Sequence, residues 1–169
     1  AAASHDNYIY IYQIDWEPSE GGRDGQPKGM SQPGAPPTIK LHTKCKGHSS
    51  YVTHIDWSAD GTMLVSNSGD YDLLYWVLNE DRSTFELKAA NVRDIQWDSW
   101  TGVLGFDVMG IWQEGMDGTD YNALHRSHGA GQDSTGTYCV GSTDDGLVRL
   151  FNYPVVIEKA PHHAFRGHS

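Results

Sequence analysis

Basic residues are scarce in this sequence. Its 169 residues include 12 lysines and arginines against 22 aspartates and glutamates, which gives a formal net charge of −10 with histidine neutral. A protein that binds nucleic acid needs a stripe of lysine and arginine to neutralise phosphates and displace their counterions. The sequence has no such stripe, so we expect no nucleic-acid partner.

Cysteine and long apolar runs are also nearly absent. The two cysteines, Cys45 and Cys139, stand alone and show neither a metal-ligand spacing nor a disulfide framework, which is typical of a reducing, intracellular compartment. The longest apolar run is only a few residues and too short to span a bilayer, and no secretory signal precedes the first predicted strand. We therefore expect a cytoplasmic protein without a membrane partner.

The most informative stretch runs from Gly47 to Trp76 and predicts three short strands with their turns. The first apolar run ends at Trp57, and Asp60-Gly61 is suited to a tight hairpin before the second strand, Met63 to Val65. The third run, Leu73 to Trp76, is apolar on both faces, so we expect it to be covered on both sides.

The order of residues in this stretch resembles a WD repeat. Gly47-His48 opens it, Ser66 lies on the second strand, and Asp70 stands in the turn six residues before Trp76. The resemblance implies a hydrogen-bonded structural tetrad of His48, Ser66, Asp70 and Trp76. A neutral imidazole can link a carboxylate to a hydroxyl, and a buried indole N–H needs a partner. A catalytic Ser-His-Asp triad is the alternative, but neither a nucleophile elbow nor an oxyanion hole accompanies these residues.

The pattern of a turn aspartate followed by a strand occurs three times, in copies that begin at Asp6, Asp70 and Asp145. The copies lie farther apart than the roughly 40–45 residues of a WD repeat, so each interval must carry an insertion. The first insertion, residues 15–37, is rich in proline and glycine and predicts a surface loop. The second, residues 112–134, follows a strand that we predict over Val103 to Val108.

The sequence thus predicts an all-β fold, a partial WD-repeat β-propeller of about two full four-stranded blades plus flanking strands. The predicted units are the last strand of a preceding blade (1–14), the insertion loop (15–37), a WD blade with Thr38 to Cys45 as its outer strand (38–78), an atypical blade with the insertion at 112–134 (79–153), and a linker with the start of the next blade (154–169). Since propellers close with four to eight blades, we expect an internal segment of a longer tandem-propeller chain.

A second set of motifs narrows the resemblance. After Gly110-Ile111-Trp112, the sequence carries DGTD at 117–120, NAL at 122–124 and RSH at 126–128, with Tyr153-Pro154 downstream. Together these motifs resemble the echinoderm microtubule-associated protein-like family, in the later of its two fused propellers. The resemblance covers about Leu41 to Ser169, and the DGTD, NAL and RSH series is not a generic feature of WD repeats.

This resemblance implies a non-enzymatic, microtubule-associated structural protein that needs no cofactor. Its implied partners are tubulin or the microtubule and other axonemal or cytoskeletal proteins. Its implied location is the cytoplasm and cytoskeleton, with the ciliary axoneme as a narrower location. Because tubulin is acidic, simple electrostatic docking of this chain is expected to be repulsive over roughly 10 Å in salt. The alternative function is a generic WD-repeat interaction scaffold in another assembly.

Three residues of the second insertion and its flank are candidate partner-binding residues: Trp112, Tyr121 and Arg126. Loops on a rigid sheet often carry function, and these residue types are enriched at contact hot spots. The other interpretation is that Trp112 packs over the blade. The nine histidines invite a metal-site interpretation, but His125 and His128 lie in a glycine-rich insertion without glutamate or cysteine at ligand spacing. We therefore expect no metal site.

Overall fold

Antiparallel strand pairing accounts for nearly all of the regular structure. The computed structural model describes residues 1–15, 36–89, 92–117, 120–129 and 137–167. The strands of these residues are β1 (Ala2–Ala3), β2 (Tyr8–Asp15), β3 (Thr38–Lys46), β4 (Val52–Trp57), β5 (Met63–Ser68), β6 (Leu73–Leu78), β7 (Phe85–Leu87), β8 (Tyr121–Arg126), β9 (Tyr138–Thr143), β10 (Leu147–Asn152) and β11 (His162–Arg166). They form three sheets, with strand orders β1-β2-β3, β4-β5-β6-β7 and β11-β10-β9-β8.

The first sheet pairs two long strands, β2 and β3, with the short strand β1. Ile9 on β2 lies opposite Cys45 on β3, and both side chains are buried, which specifies the register. We predicted Thr38 to Cys45 as the outer strand of the following blade; its pairing with β2 assigns it to the first sheet instead. Apart from Asp15, Pro36 and Pro37, the predicted insertion loop of residues 15–37 lies outside the described residues.

The second sheet contains the three strands predicted between Gly47 and Trp76. The turn between β4 and β5 closes as expected, because the Ser58 hydroxyl donates to Asp60 Oδ1 at 2.6 Å and Gly61 adopts a φ of 70°. Every residue of β5 is buried, which is typical of a strand with packed neighbours on both faces. The strand expected to be covered on both sides, β6, is half-buried except at Trp76, which is buried.

The two outer strands of the third sheet lie in parts of the chain that we predicted to be an insertion and a linker, whereas β9 and β10 lie in the predicted atypical blade. The strand β8 lies within the predicted insertion of residues 112–134 and pairs with β9. The strand β11 lies within residues 154–169, where we predicted the start of another blade, but it pairs with β10. The third sheet therefore repeats the order of the second, with each strand beside the next in the chain.

A segment between β7 and β8 fills the space between the second and third sheets. We predicted a strand over Val103 to Val108, and this was wrong, because a 3₁₀ helix spans Phe106–Ile111. Gly105 has a φ of 138°, a conformation that other residues rarely adopt, and the helix starts there. Val108 and Ile111 are fully buried against residues of both sheets.

Two apolar clusters hold the three sheets together. One lies between the first and second sheets and includes Ile9, Leu64 and Trp76. The other lies between the second and third sheets and includes Val65 and Phe151. The three sheets stand side by side without closing a ring, so the chain is a partial β-propeller. In the described part of the chain, no helix is both long and apolar enough to cross a membrane.

Candidate functional site

Three of the four predicted tetrad residues, His48, Ser66 and Trp76, are joined in the second sheet. Ser66 on β5 is the junction, because its Oγ lies 2.6 Å from His48 Nε2 and accepts a hydrogen bond from Trp76 Nε1 at 2.8 Å. All three side chains are buried, and Ser66 and Trp76 are only 1 % exposed. This chain of contacts ties the segment before β4 to β5 and β6.

Asp70 lies close to this chain but bonds elsewhere. Its carboxylate accepts a hydrogen bond from the Ser68 hydroxyl in the same turn. Metal-ligating atoms of His48, Asp70 and Asp72 lie within 4.8 Å of one another, and His48 Nδ1 is buried without a hydrogen-bond partner among the described residues. Burial lowers the pKa of His48, and the two carboxylates partly oppose that shift. Since Ser66 already contacts Nε2, Nδ1 is the nitrogen left to interact with a carboxylate or a cation.

The third sheet has no comparable chain at the matching positions. Gly141 stands where the second sheet has Ser66, and Phe151 stands where it has Trp76. A Cβ atom added to Gly141 would lie 2.5 Å from the Tyr121 ring, so the aromatic ring occupies that space. Phe151 is 1 % exposed, and its ring centroid lies 5.0 Å from that of His162.

The polar contacts of the third sheet lie in its turn instead. The Asp145 carboxylate accepts hydrogen bonds from Arg149 Nη2 at 2.6 Å and from the Thr143 hydroxyl at 2.5 Å. The hydrogen bond from Arg149 is the main reason that the pKa of Asp145 is held far below its ordinary value. Arg149 on the inner strand β10 is buried and Asp145 is half exposed, so the ion pair joins a buried guanidinium to a carboxylate at the surface.

Two of the three candidate partner-binding residues are inside the protein. Tyr121 is 5 % exposed and donates its hydroxyl to the Ile111 carbonyl at 3.1 Å. Arg126 is 2 % exposed and donates Nη2 to the carbonyls of Trp97 and Asp98. A buried side chain cannot form a docking surface, so this correction removes both from the candidates.

Trp112 is half-buried and packs its ring edge-on against Tyr121, with the centroids 5.1 Å apart. This matches the packing interpretation of Trp112. No pattern in the sequence indicates that β8 places both Tyr121 and Arg126 inward.

One buried acid was missed by the sequence reasoning. Asp56 on β4 is 1 % exposed, and its carboxylate accepts four hydrogen bonds from the segment that crosses between the second and third sheets. The donors are the Ser99 hydroxyl, the Thr101 amide and hydroxyl, and the Gly102 amide. Arg126 of the third sheet donates hydrogen bonds to carbonyls of the same segment. Asp56 and Arg126 thus form a clamp that joins the second and third sheets through the segment between them.

The two cysteines are both buried and free. Burial raises the pKa of Cys45 to about 11 and that of Cys139 to about 12. Both thiols are therefore protonated at neutral pH, and a protonated, inaccessible thiol is neither a nucleophile nor a metal ligand.

Comparisons with known proteins agree over the full length of the chain. Residues 1–169 match the family model described as the second β-propeller of echinoderm microtubule-associated protein. The chain is 46 % identical over 171 residues to the 77 kDa echinoderm microtubule-associated protein of Strongylocentrotus purpuratus, covering 100 % of this chain and 21 % of that protein. It is 43 % identical to echinoderm microtubule-associated protein-like 2 of Rattus norvegicus, covering 22 % of it.

A human relative gives the same result. The chain is 43 % identical over 169 residues to echinoderm microtubule-associated protein-like 1 of Homo sapiens, covering all of this chain and 18 % of that protein. The chain thus spans about a fifth of the length of the curated relatives it matches.

Proposed function

The chain belongs to the echinoderm microtubule-associated protein family, as a segment of its second β-propeller. From this membership we propose that the chain is part of a microtubule-associated structural protein. The observation that carries the proposal is the family match over the whole chain, together with relatives that are named as microtubule-associated proteins. In this proposal the propeller binds tubulin or the microtubule lattice, in the cytoplasm and cytoskeleton.

We also propose that the segment acts by binding and not by catalysis. The serine and histidine that could suggest a hydrolase have structural contacts instead. Ser66 is only 1 % exposed, and its Oγ already accepts a hydrogen bond from Trp76 Nε1. A nucleophile must reach its substrate, and this hydroxyl is covered by the first and second sheets. The protonated, buried thiols support the same proposal.

Charge limits how the microtubule contact is made. The chain carries a net charge of −10, and tubulin is acidic, so long-range attraction between the two is not available. We propose that binding uses a shape-specific contact away from the acidic tubulin tails. Added salt should then leave the affinity unchanged or raise it, because salt screens the repulsion between exposed charges that are farther apart than a Debye length, about 8 Å at physiological ionic strength.

The test is co-sedimentation of the intact protein with microtubules. We expect enrichment in the pellet over a WD-repeat propeller of similar size and charge from an unrelated protein. Microtubules whose acidic tails have been removed by protease should bind the protein equally well or better. Loss of all binding on tail removal would contradict contact away from the tails, and no enrichment on either lattice would contradict the function itself.

The ciliary axoneme is a narrower location that we propose within this function, with other axonemal or cytoskeletal proteins as further partners. Imaging of the tagged intact protein in ciliated cells tests it. Signal along the axoneme is the expected result, and signal confined to cytoplasmic microtubules would leave the function intact but exclude that location.

A further inference from the structure

A groove of about 430 Å³ opens at the edge where the three sheets meet. The first sheet contributes His5, the second Tyr51 and Tyr71, the chain leading into the third Leu104, and the third Asn122. The His5 and Tyr51 rings stack at 4.9 Å with an interplanar angle of 6°. Tyr51 and Tyr71 are 43 % and 51 % exposed, so the groove presents aromatic faces to the solvent.

Tyr71, whose ring is exposed at the groove, has a strained backbone conformation. The same turn position is occupied by Asn7 in the first sheet and by Gly146 in the third, with φ angles of 71° and 74°. Glycine and asparagine tolerate this left-handed conformation, whereas a tyrosine, here with a φ of 65°, is strained in it. A strained aromatic residue at an exposed groove is a common sign of a functional contact.

The rim of the groove is acidic. In the second sheet Asp70 accepts a hydrogen bond from Ser68, which lines the groove. Asp144 of the third sheet accepts one at 2.7 Å from Asn122, which also lines it. Asp6 of the first sheet follows His5 directly in the chain. The described residues that line the groove include neither lysine or arginine nor aspartate or glutamate, so the three flanking carboxylates supply its charge.

We propose that this groove docks a lysine- or arginine-rich segment of a partner protein. An ammonium or guanidinium group is attracted to the face of a tyrosine ring, and the three turn carboxylates supply the opposite charge around it. An acidic partner would be repelled by the same rim. The inference is independent of microtubule binding, because it concerns a different, basic partner.

The probe is a short fluorescein-labelled peptide of alternating lysine and serine, with a peptide of alternating glutamate and serine as its counterpart. Fluorescence anisotropy measures the binding of each peptide to the intact protein in the absence of microtubules. We expect saturable binding of the lysine peptide that weakens with salt, and no binding of the glutamate peptide. Absence of lysine-peptide binding, or equal binding of both peptides, would overturn the proposal.

Matched variants separate the groove from the general acidity of the chain. Asp6→Asn with Asp144→Asn removes two charges at the groove. Asp60→Asn with Asp81→Asn removes two charges from exposed turns at the opposite ends of the strands. We expect the first pair to weaken peptide binding about fivefold and the second less than about twofold. Equal losses would show attraction by net charge alone and would overturn the groove as the site.

The aromatic contribution is tested by Tyr71→Asn. Asparagine accepts the left-handed backbone of this turn, so the ring is removed while the turn is kept. We expect binding to weaken about threefold, as for an exposed cation–π contact, with an unchanged circular dichroism spectrum. Unchanged affinity in this variant would show that the tyrosine face does not hold the cation, and would overturn the proposed contact.

Discussion

The second and third sheets have the same strand order but are stabilised by different chemistry. In the second, a buried hydroxyl joins an imidazole and an indole across β5 and β6. In the third, the corresponding hydroxyl is absent at Gly141, and the Tyr121 ring fills the space. Polar contacts there move to the turn, where Asp145 pairs with Arg149.

This difference follows from whether the central aromatic residue of the sheet carries a polar atom. Trp76 and His48 bring N–H groups or lone pairs into the protein interior, and these must be paired there. Phe151 brings none, so close packing is enough. Substitutions should therefore leave unpaired polar atoms in the second sheet and cavities in the third.

The largest effect is expected from removing the central aromatic residues. Trp76→Ala and Phe151→Ala should each lower the free energy of unfolding by about 3–5 kcal/mol, since both side chains are 1 % exposed and leave a large cavity. Urea denaturation of the intact protein measures both, with exposed Tyr138→Ala as the control. If Phe151→Ala cost less than about 1 kcal/mol, packing would not be what holds the third sheet.

The clamp between the two sheets should rank next. Asp56→Asn keeps the shape of the side chain but weakens charged hydrogen bonds to Ser99, Thr101 and Gly102, so we expect a loss of about 2 kcal/mol. Asp98→Asn, an exposed acid in the same segment, is the control and should cost less than about 0.5 kcal/mol. Equal losses in urea denaturation would mean that Asp56 acts only through net charge.

A smaller effect is expected from the hydroxyl that distinguishes the two sheets. Ser66→Ala should cost about 1–2 kcal/mol, because Trp76 Nε1 and His48 Nε2 lose their partner. Trp76→Phe deletes one of the same bonds, so the double variant should cost less than the sum of the single ones. Full additivity in this cycle would show that Ser66 and Trp76 do not act as a unit. Ser142→Ala on β9 is the matched serine control.

The smallest effect is a pH dependence that comes from the buried imidazole of His48 in the second sheet. Burial lowers the pKa of His48 below its ordinary value of 6.5, so the unfolded chain binds the proton more readily than the folded one. Stability is therefore complete above about pH 6.5 and falls as the pH drops below it. Burial lowers the pKa of His54 in the same way.

The measurement is urea denaturation across this pH range. His48→Gln should reduce the loss of stability at acidic pH, and exposed His163→Gln should not change it. An identical pH profile in all three proteins would contradict the assignment of the effect to His48.

The local features of the second sheet could be predicted from the sequence because their signals lie within one stretch. The spacing of Gly47-His48, Asp70 and Trp76 and the turn at Asp60-Gly61 indicated three adjacent strands, and the structure has them. The tetrad residues are near one another for the same reason. The fold class followed from three copies of the same turn and strand.

The contacts between distant parts of the chain could not be predicted. Asp56 accepts hydrogen bonds from Ser99 and Gly102, which lie more than forty positions away in the chain. The residues next to Asp56 in the sequence do not predict those donors. The run from Val103 has the apolar content of a strand, but the backbone at Gly105 turns it into a helix. A bulge near Tyr121 shifts the register of β8. The alternation of apolar and polar residues in the sequence therefore could not predict which side chains of this strand point inward.

The pairing of β3 with β2 has a consequence for where the protein tolerates a break. The motif that opens the repeat begins at Gly47, one residue after the strand that completes the previous sheet. An insertion placed just before Gly47 leaves both neighbouring sheets with all their strands. A truncation at residue 37 would instead leave β2 with an unpaired edge, and such an edge is a template for aggregation.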